Sequence, residues 1–456
     1  MRALRTLAAP AVLLALLALQ WAVGHLAWEG GGLVQARPGI VSGDEPHYLL
    51  TLGSLVRDHD VDVRNDYERS RGGGLDAGLE FRGRLIDHHT LLYSRRTGEW
   101  GRWQDVYDVN GRFPCAPGDL CSPFTLKLPE RFDLRVSPDL AEVPSHPVGF
   151  AALLFALLYP LGVDDADLEP RALEVVMLLS WLGAVATWAA GRRAGLPPWS
   201  ALAAAALAGA ASPWLVYGRS FFAETAIGLF LVLGLWALAA GRSALVGLAI
   251  VAAAAIKPNF GLVGFAFVAE RLWARRPREA VVIASVAAVG GVAIAALNWS
   301  IARTLVVAGR DPWRWALGTW PVGDTLFSDD HGLFLFVPWA LLPAWALLRS
   351  RPTPAPPASA SAALLRQVSL AALVHFAILA TNRNGTGWCY GPRYWVPLLP
   401  LMALGVATIA ETATRTFRVS LVVLALLSLS FSIPAALRYR DAFVARPHEV
   451  WFKAAK

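Results

Sequence analysis

Residues 146–162 read His-Pro-Val-Gly-Phe-Ala-Ala-Leu-Leu-Phe-Ala-Leu-Leu-Tyr-Pro-Leu-Gly. Whether this run crosses a membrane or lies along it sets the direction of everything downstream. A span takes about 20 apolar residues, with a lower limit near 17, so length admits both readings and the charges beyond it decide. Further apolar runs lie near 172–190, 200–217, 225–240, 244–256, 260–273, 280–298, 333–348, 364–380, 394–410 and 419–436. With 146–162 in the interface, five basic groups fall on the cytoplasmic side: Arg192-Arg193, Arg242, Arg271 to Arg278, Arg349 with Arg351 and Arg366, and Arg415 with Arg418. Short cytoplasmic loops collect Lys and Arg. Counting 146–162 as a span would put all of them outside. The sequence therefore predicts a helix lying in the outer interface. The tail 437–456 is the exception, since it carries Arg438, Arg440, Arg446, Lys453 and Lys456 and is placed outside.

Working back, residues 8–28 form an apolar run after Arg2 and Arg5. It is long for a signal peptide and no small-x-small site ends it, so it is read as a retained first span with a cytoplasmic amino terminus. Composition agrees: the chain is 55% hydrophobic and 16% charged, with mean hydropathy +0.46, where soluble domains carry about 25% charged residues. The expected architecture is an all-α polytopic protein of the inner (plasma) membrane with about eleven transmembrane helices. Its parts are a first helix in 1–28, a periplasmic loop over 29–163 with interfacial helices at 44–58 and 146–162, a bundle over 164–436, and a periplasmic tail over 437–456. The formal charge of +7 resides largely in the loop clusters, with no aromatic-basic platform, which argues against a nucleic-acid partner and leaves membrane lipid as the surrounding medium.

Residues 59–143 are polar, Gly- and Arg-rich, and predict an irregular excursion with short strands around Leu79–Tyr93. Within it Cys115 and Cys121 bracket Ala-Pro-Gly-Asp-Leu. On an oxidising side of the membrane this pair suits a disulfide; the alternative is two free thiols in a loop. The stretch 349–362, rich in Pro, Ala and Ser, reads as a linker.

Charges inside the apolar runs are scarce, as their cost at the bilayer centre requires. Polar groups gather instead at the expected outer ends, from distant parts of the sequence. Asp44 and Glu45, with His47, open an amphipathic stretch. They are either a helix cap or a carboxylate pair that holds a metal or supplies a general base. His146 stands before the interfacial run as a capping residue or a substrate contact. Glu224 opens an apolar run, as a helix cap or a substrate contact, and Lys257 lies between two short runs, as a snorkelling residue or a phosphate ligand. Asp329, Asp330 and His331 form a substrate or metal cluster or a solvated loop. In the segment 384–394, Trp388, Tyr390 and Tyr394 offer sugar-stacking faces, and Arg393 offers a planar fork for phosphate. A divalent metal (Mg or Mn) has candidate ligands in Asp44, Glu45 and Asp330, although no cofactor is required by this chemistry.

Taken in order, Gly43-Asp44-Glu45-Pro46-His47-Tyr48-Leu49, His146-Pro147-Val148-Gly149, Phe222-Ala223-Glu224, Phe327 to Gly332 and Gly387 to Tyr394 resemble the bacterial GT-C membrane glycosyltransferases, relatives of the protein O-mannosyltransferases and the aminoarabinose lipid A transferases. Val148 departs from the pattern where a second Pro is common, and the 59–143 insert is long. The resemblance implies a GT-C-like bundle, a polyprenyl-phosphate sugar donor and a catalytic carboxylate in the first outer loop. Asp44, then Glu45, are the expected bases, Arg393 and Lys257 the donor-phosphate ligands, and His47, His146, Glu224, His331, Trp388, Tyr390 and Tyr394 the substrate contacts. Other readings are a lipid-linked sugar transporter or flippase, a polysaccharide polymerase or ligase using pyrophosphate-linked donors, and a non-catalytic assembly protein.

Overall fold

The structure is a computed structural model, and it describes residues 2–29, 32–35, 45–63, 66, 90–94, 100–102, 140–144, 146–302, 305, 322–342, 360–380 and 390–438. In chain order its elements are α1 (Arg2–His25), β1 (Leu26–Glu29), β2 (Gly32–Gln35), α2 (Glu45–Arg57), β3 (Thr90–Ser94), β4 (Trp100–Arg102), β5 (Leu140–Pro144), α3 (Gly149–Leu158), α4 (Asp165–Arg193), α5 (Pro198–Gly209) and α6 (Trp214–Tyr217). There follow α7 (Glu224–Ala239), α8 (Ser243–Ile256), α9 (Asn259–Trp273), α10 (Pro277–Ala302), α11 (Val322–Phe327), α12 (Leu333–Phe336), α13 (Ala360–Ala380), a 3-10 helix over Arg393–Leu398, α14 (Leu399–Thr412) and α15 (Arg415–Leu437). Helix dominates the described residues, and five stretches are long and apolar enough to cross a membrane: Asp167–Arg193, Pro277–Ile301, Ala362–Ala380, Arg393–Thr412 and Arg415–Leu437. The most apolar window of Pro277–Ile301 has a mean hydropathy of 2.5 and is only 11% buried. A helix that is apolar all round and left uncovered by protein belongs in lipid.

Two compact units divide the chain. The first comprises Met1–Glu45, Pro170–Gly291 and Trp313–Lys456; the second comprises Pro46–Glu169 and Val292–Pro312. In the first, helices pack through small residues, as they must where lipid tails compete equally well for apolar surface. Buried Ala201, Ala204, Ala205 and Ala208 line α5, which packs against α14. Leu13 of α1 sits on Leu202 and Ala205. Several polar groups in this interior find partners: Ser180 Oγ donates to Gln20 Oε1 at 3.2 Å, Trp214 Nε1 to the Ser180 carbonyl at 3.1 Å, and Trp339 Nε1 to the Ala211 carbonyl at 2.6 Å. Gly228 lets α7 approach this core, because a Cβ there would stand 2.4 Å from the Trp214 ring and 3.0 Å from the Pro397 carbonyl oxygen.

In the second unit an antiparallel sheet runs in the order β4-β3-β5, with Tyr93 opposite Trp100 and Ala141, and Thr90 opposite Pro144. Tyr48 of α2 meets Phe150 of α3 edge-on at 5.2 Å. Arg57 pairs with buried Asp66 at 3.0 Å. Burial pushes the Asp66 carboxyl above its ordinary range, and the Arg57 guanidinium opposes that shift.

Several expected boundaries move. The first helix ends at His25, and residues 26–28, counted in the first span, belong instead to the strand Leu26–Glu29, which pairs with Gly32–Gln35 in a ribbon with Leu26 opposite Gln35. The sequence between the two strands is Gly30-Gly31, the spacing of a two-residue hairpin. The run 200–217 is two helices, because Pro213 disfavours helical backbone at Ser212. The run 146–162 gives α3, followed by a 3-10 turn over Tyr159–Leu161 that ends at left-handed Gly162 (φ 64°). At 1.5 Å per residue α3 is about 15 Å long, half the hydrocarbon thickness. Of the Leu79–Tyr93 strand region, only Thr90–Ser94 is described, as a strand. Cys115 and Cys121 lie outside the described residues.

Gly228→Val forces a side chain into the space held by Trp214 and a backbone carbonyl. Overpacking of this kind costs about 1–3 kcal/mol. The variant should melt lower than wild type in detergent, and an unchanged melting temperature would show that α7 does not pack as closely as described.

Candidate functional site

Three short breaks in the first unit supply the site. At Ala223 the chain turns into α7, placing Glu224 in the first helical turn, where the helix dipole favours a carboxylate. Between α8 and α9, Pro258 disfavours helix at the preceding residue, so Lys257 is extended (φ −143°, ψ 114°) and α8 ends there. At Gly391-Pro392 the chain enters the 3-10 helix with Arg393 as its first residue. Gly391 has φ +56°, and a Cβ on it would stand 2.6 Å from the Phe336 ring, so both backbone and space require glycine.

These breaks bring three charges together. Lys257 Nζ lies 2.5 Å from Glu224 Oε1, and Arg393 Nε lies 2.7 Å from the same oxygen. Glu224 is wholly buried and Arg393 only 4% exposed. The Arg393 guanidinium lies 4.1 Å from the Phe222 ring centroid, and Lys257 Nζ lies 5.5 Å from that of Tyr394. Glu224 Oε2 and the buried Tyr390 hydroxyl have no hydrogen-bond partner among the described residues. Tyr390 is oriented from both sides: Tyr217 Oη donates to its carbonyl at 2.7 Å, and Phe336 meets its ring edge-on at 5.1 Å. Burial pushes its hydroxyl above the ordinary tyrosine range, so it remains protonated. His331 joins the site through Nδ1, which donates to the Gly391 carbonyl at 3.4 Å. Burial holds its imidazole below the usual histidine range, against the pull of that hydrogen bond and of Asp330 and Asp329.

The sequence-derived candidates divide accordingly. Glu224, Lys257, Arg393, Tyr394, Tyr390 and His331 share one neighbourhood. Glu45 reaches its edge: its carboxylate is 1% exposed, and Oε1 accepts from the Phe221 amide at 3.0 Å. Asp330 is exposed, its amide donating to Ser328 Oγ at 3.1 Å. His47 and His146 belong to the second unit, where their rings lie 5.7 Å apart. Asp44 and Trp388 lie outside the described residues. Among the described residues no group of three His, Cys, Asp or Glu side chains is placed to hold a metal.

Sequence reading treats Glu224 as a cap or substrate contact, and Lys257 and Arg393 as separate cations. In the structure the N-cap position belongs to Ala223, and Glu224 is the counter-ion that holds both cations. Phe222, under the guanidinium, enters the sequence reading only as part of the Phe222-Ala223-Glu224 element and is not among the candidate site residues.

Removing one member of a buried ion cluster strands the others, at a cost of about 3–5 kcal/mol. Glu224→Gln should therefore lower the melting temperature sharply, and Lys257→Met in the same chain should recover part of the loss. A Glu224→Gln protein as stable as wild type would show that the cluster is not formed. The chain matches no family model, no curated protein and no solved structure.

Proposed function

We propose that this chain is a membrane glycosyltransferase that moves a sugar from a polyprenyl-phosphate donor to the hydroxyl of a lipid, glycan or protein acceptor. The observation that carries this reading is the meeting of Lys257 and Arg393 on one carboxylate oxygen, beside Tyr390 and Tyr394. Phosphate leaving groups need cationic stabilisation as charge develops, and fixed cations in a buried site supply it without reorganisation. The surrounding aromatic faces suit a sugar ring. About eleven spans, with the amino terminus cytoplasmic, put the cluster at the periplasmic face of the inner membrane.

In the proposed reaction the acceptor oxygen attacks the anomeric carbon from the face opposite the phosphate. A new C–O bond forms as the sugar–phosphate C–O bond breaks, and the electron pair leaves with polyprenyl phosphate. Asp44 takes the acceptor proton. Glu45 is the weaker choice as base, because its carboxylate is buried and committed to the Phe221 amide. Lys257 and Arg393 hold the leaving phosphate, Glu224 keeps the two cations in place, and His331 and Tyr390 are substrate contacts. A single displacement inverts the anomeric centre. A lipid-linked sugar transporter is the second reading, favoured by the same buried charges, since ionisable groups within a membrane protein often mark a transport path.

Membranes carrying wild type, Asp44→Asn or Lys257→Gln, supplied with a panel of radiolabelled polyprenyl-phospho-sugars, separate these readings. Transfer should be abolished in Asp44→Asn and fall roughly 10²–10³-fold in Lys257→Gln, with insertion unchanged. Active Asp44→Asn enzyme removes the base assignment. Movement of donor across the bilayer without any transfer product overturns the enzyme reading.

A further inference from the structure

At about 1.5 Å per residue, α7 extends about 24 Å and α9 about 22 Å away from the Glu224–Lys257–Arg393 cluster. Their far ends border a second feature, a cavity of about 500 Å³ lined by Arg193, Glu270, Arg271, Arg276, Arg366 and Gln367, among others. The positive-inside rule accounts for arginines at this end, but not for their gathering around a cavity. Glu270, 1% exposed, pairs with Arg271 at 2.5 Å and Arg366 at 3.5 Å. Glu279 pairs with Arg271 at 3.1 Å and with Arg276 at 3.2 Å. Three guanidiniums thus pair with two carboxylates, and Arg193, which lines the cavity with no ion pair among the described residues, brings the group to an excess of two positive charges.

The second observation is Gln367. It is 1% exposed and lines the cavity, yet neither its Nε2 nor its Oε1 has a hydrogen-bond partner among the described residues. A buried amide with both groups unmet is costly, and a ligand offering an acceptor and a donor would satisfy it. A phosphate ester with a free hydroxyl has both. Guanidinium forks match phosphate oxygens, and the volume suits a small organic ligand better than a bare ion.

We propose that this cavity binds a phosphate group borne on a hydroxylated moiety, either an anionic lipid headgroup such as phosphatidylglycerol or a soluble phosphate ester of the same chemistry. The proposal rests on the cavity alone and not on the transfer reaction above.

The test uses the full chain, purified in detergent for titration with glycerol 3-phosphate and in nanodiscs of phosphatidylglycerol or phosphatidylcholine for lipid binding by native mass spectrometry. Two variants report on the cavity. Arg193→Gln alters an exposed side chain, and Gln367→Leu removes two unmet polar atoms, so both should fold. Each should weaken binding about tenfold, the loss expected of one charge-assisted or buried hydrogen bond. Saturable glycerol 3-phosphate binding weakened by both variants supports the site with a soluble source. Selective phosphatidylglycerol retention, weakened by both, supports it with a lipid source. Equal retention of the two lipids with no glycerol 3-phosphate binding, or binding that neither variant changes, overturns it.

Discussion

Glu224 is a carboxylate with no exposed surface, and a charge so placed survives only beside opposite charge. Lys257 and Arg393 provide it, and the three residues stand far apart in sequence. For them to meet, α7 must begin at Ala223, α8 must end at Lys257, and the chain must turn through left-handed Gly391 before Arg393. The close approach of α7 to Trp214 and Pro397 at Gly228 serves the same end. Buried ion pairs contribute little net stability compared with apolar packing. The cluster joins three chain breaks in one arrangement.

The helices between the two polar ends are held differently. Alanine and glycine faces permit close contact, and the few interior hydroxyl, amide and indole groups are mostly paired with backbone carbonyls or one another. Away from these contacts the surface stays apolar, as on Pro277–Ile301, where lipid replaces protein as the covering. Helices α7 and α9 join a carboxylate-centred cation cluster at one end to an arginine-lined cavity at the other. The charged side chains of the first unit described here are thereby gathered at the two ends of these helices.

Arg393 and Lys257 were legible in the sequence because cations are costly in apolar surroundings and stand out when present. Tyr390 and Tyr394 were legible as aromatic companions of Arg393. Glu224 as their shared counter-ion was not, because a glutamate at the start of an apolar run looks like a helix-terminal charge. Nor was the commitment of Glu45 to the Phe221 amide. Gln367 carries no local sequence signal: its significance lies wholly in being buried, with no hydrogen-bond partner among the described residues, beside four arginines.

Composition and apolar periodicity by themselves determined that this chain is a predominantly helical membrane protein, because the cost of exposing apolar surface is additive along the sequence and needs no knowledge of neighbours. They also marked the residues too polar for their surroundings. Helix limits were only partly determined: the ribbon after His25 and the break at Ser212-Pro213 depend on pairing and backbone restriction that hydrophobicity does not encode. Which charge meets which was decided by the tertiary structure alone. Ion pairing and cavity shape depend on distances between residues far apart in the chain, and one-dimensional spacing carries no record of those distances.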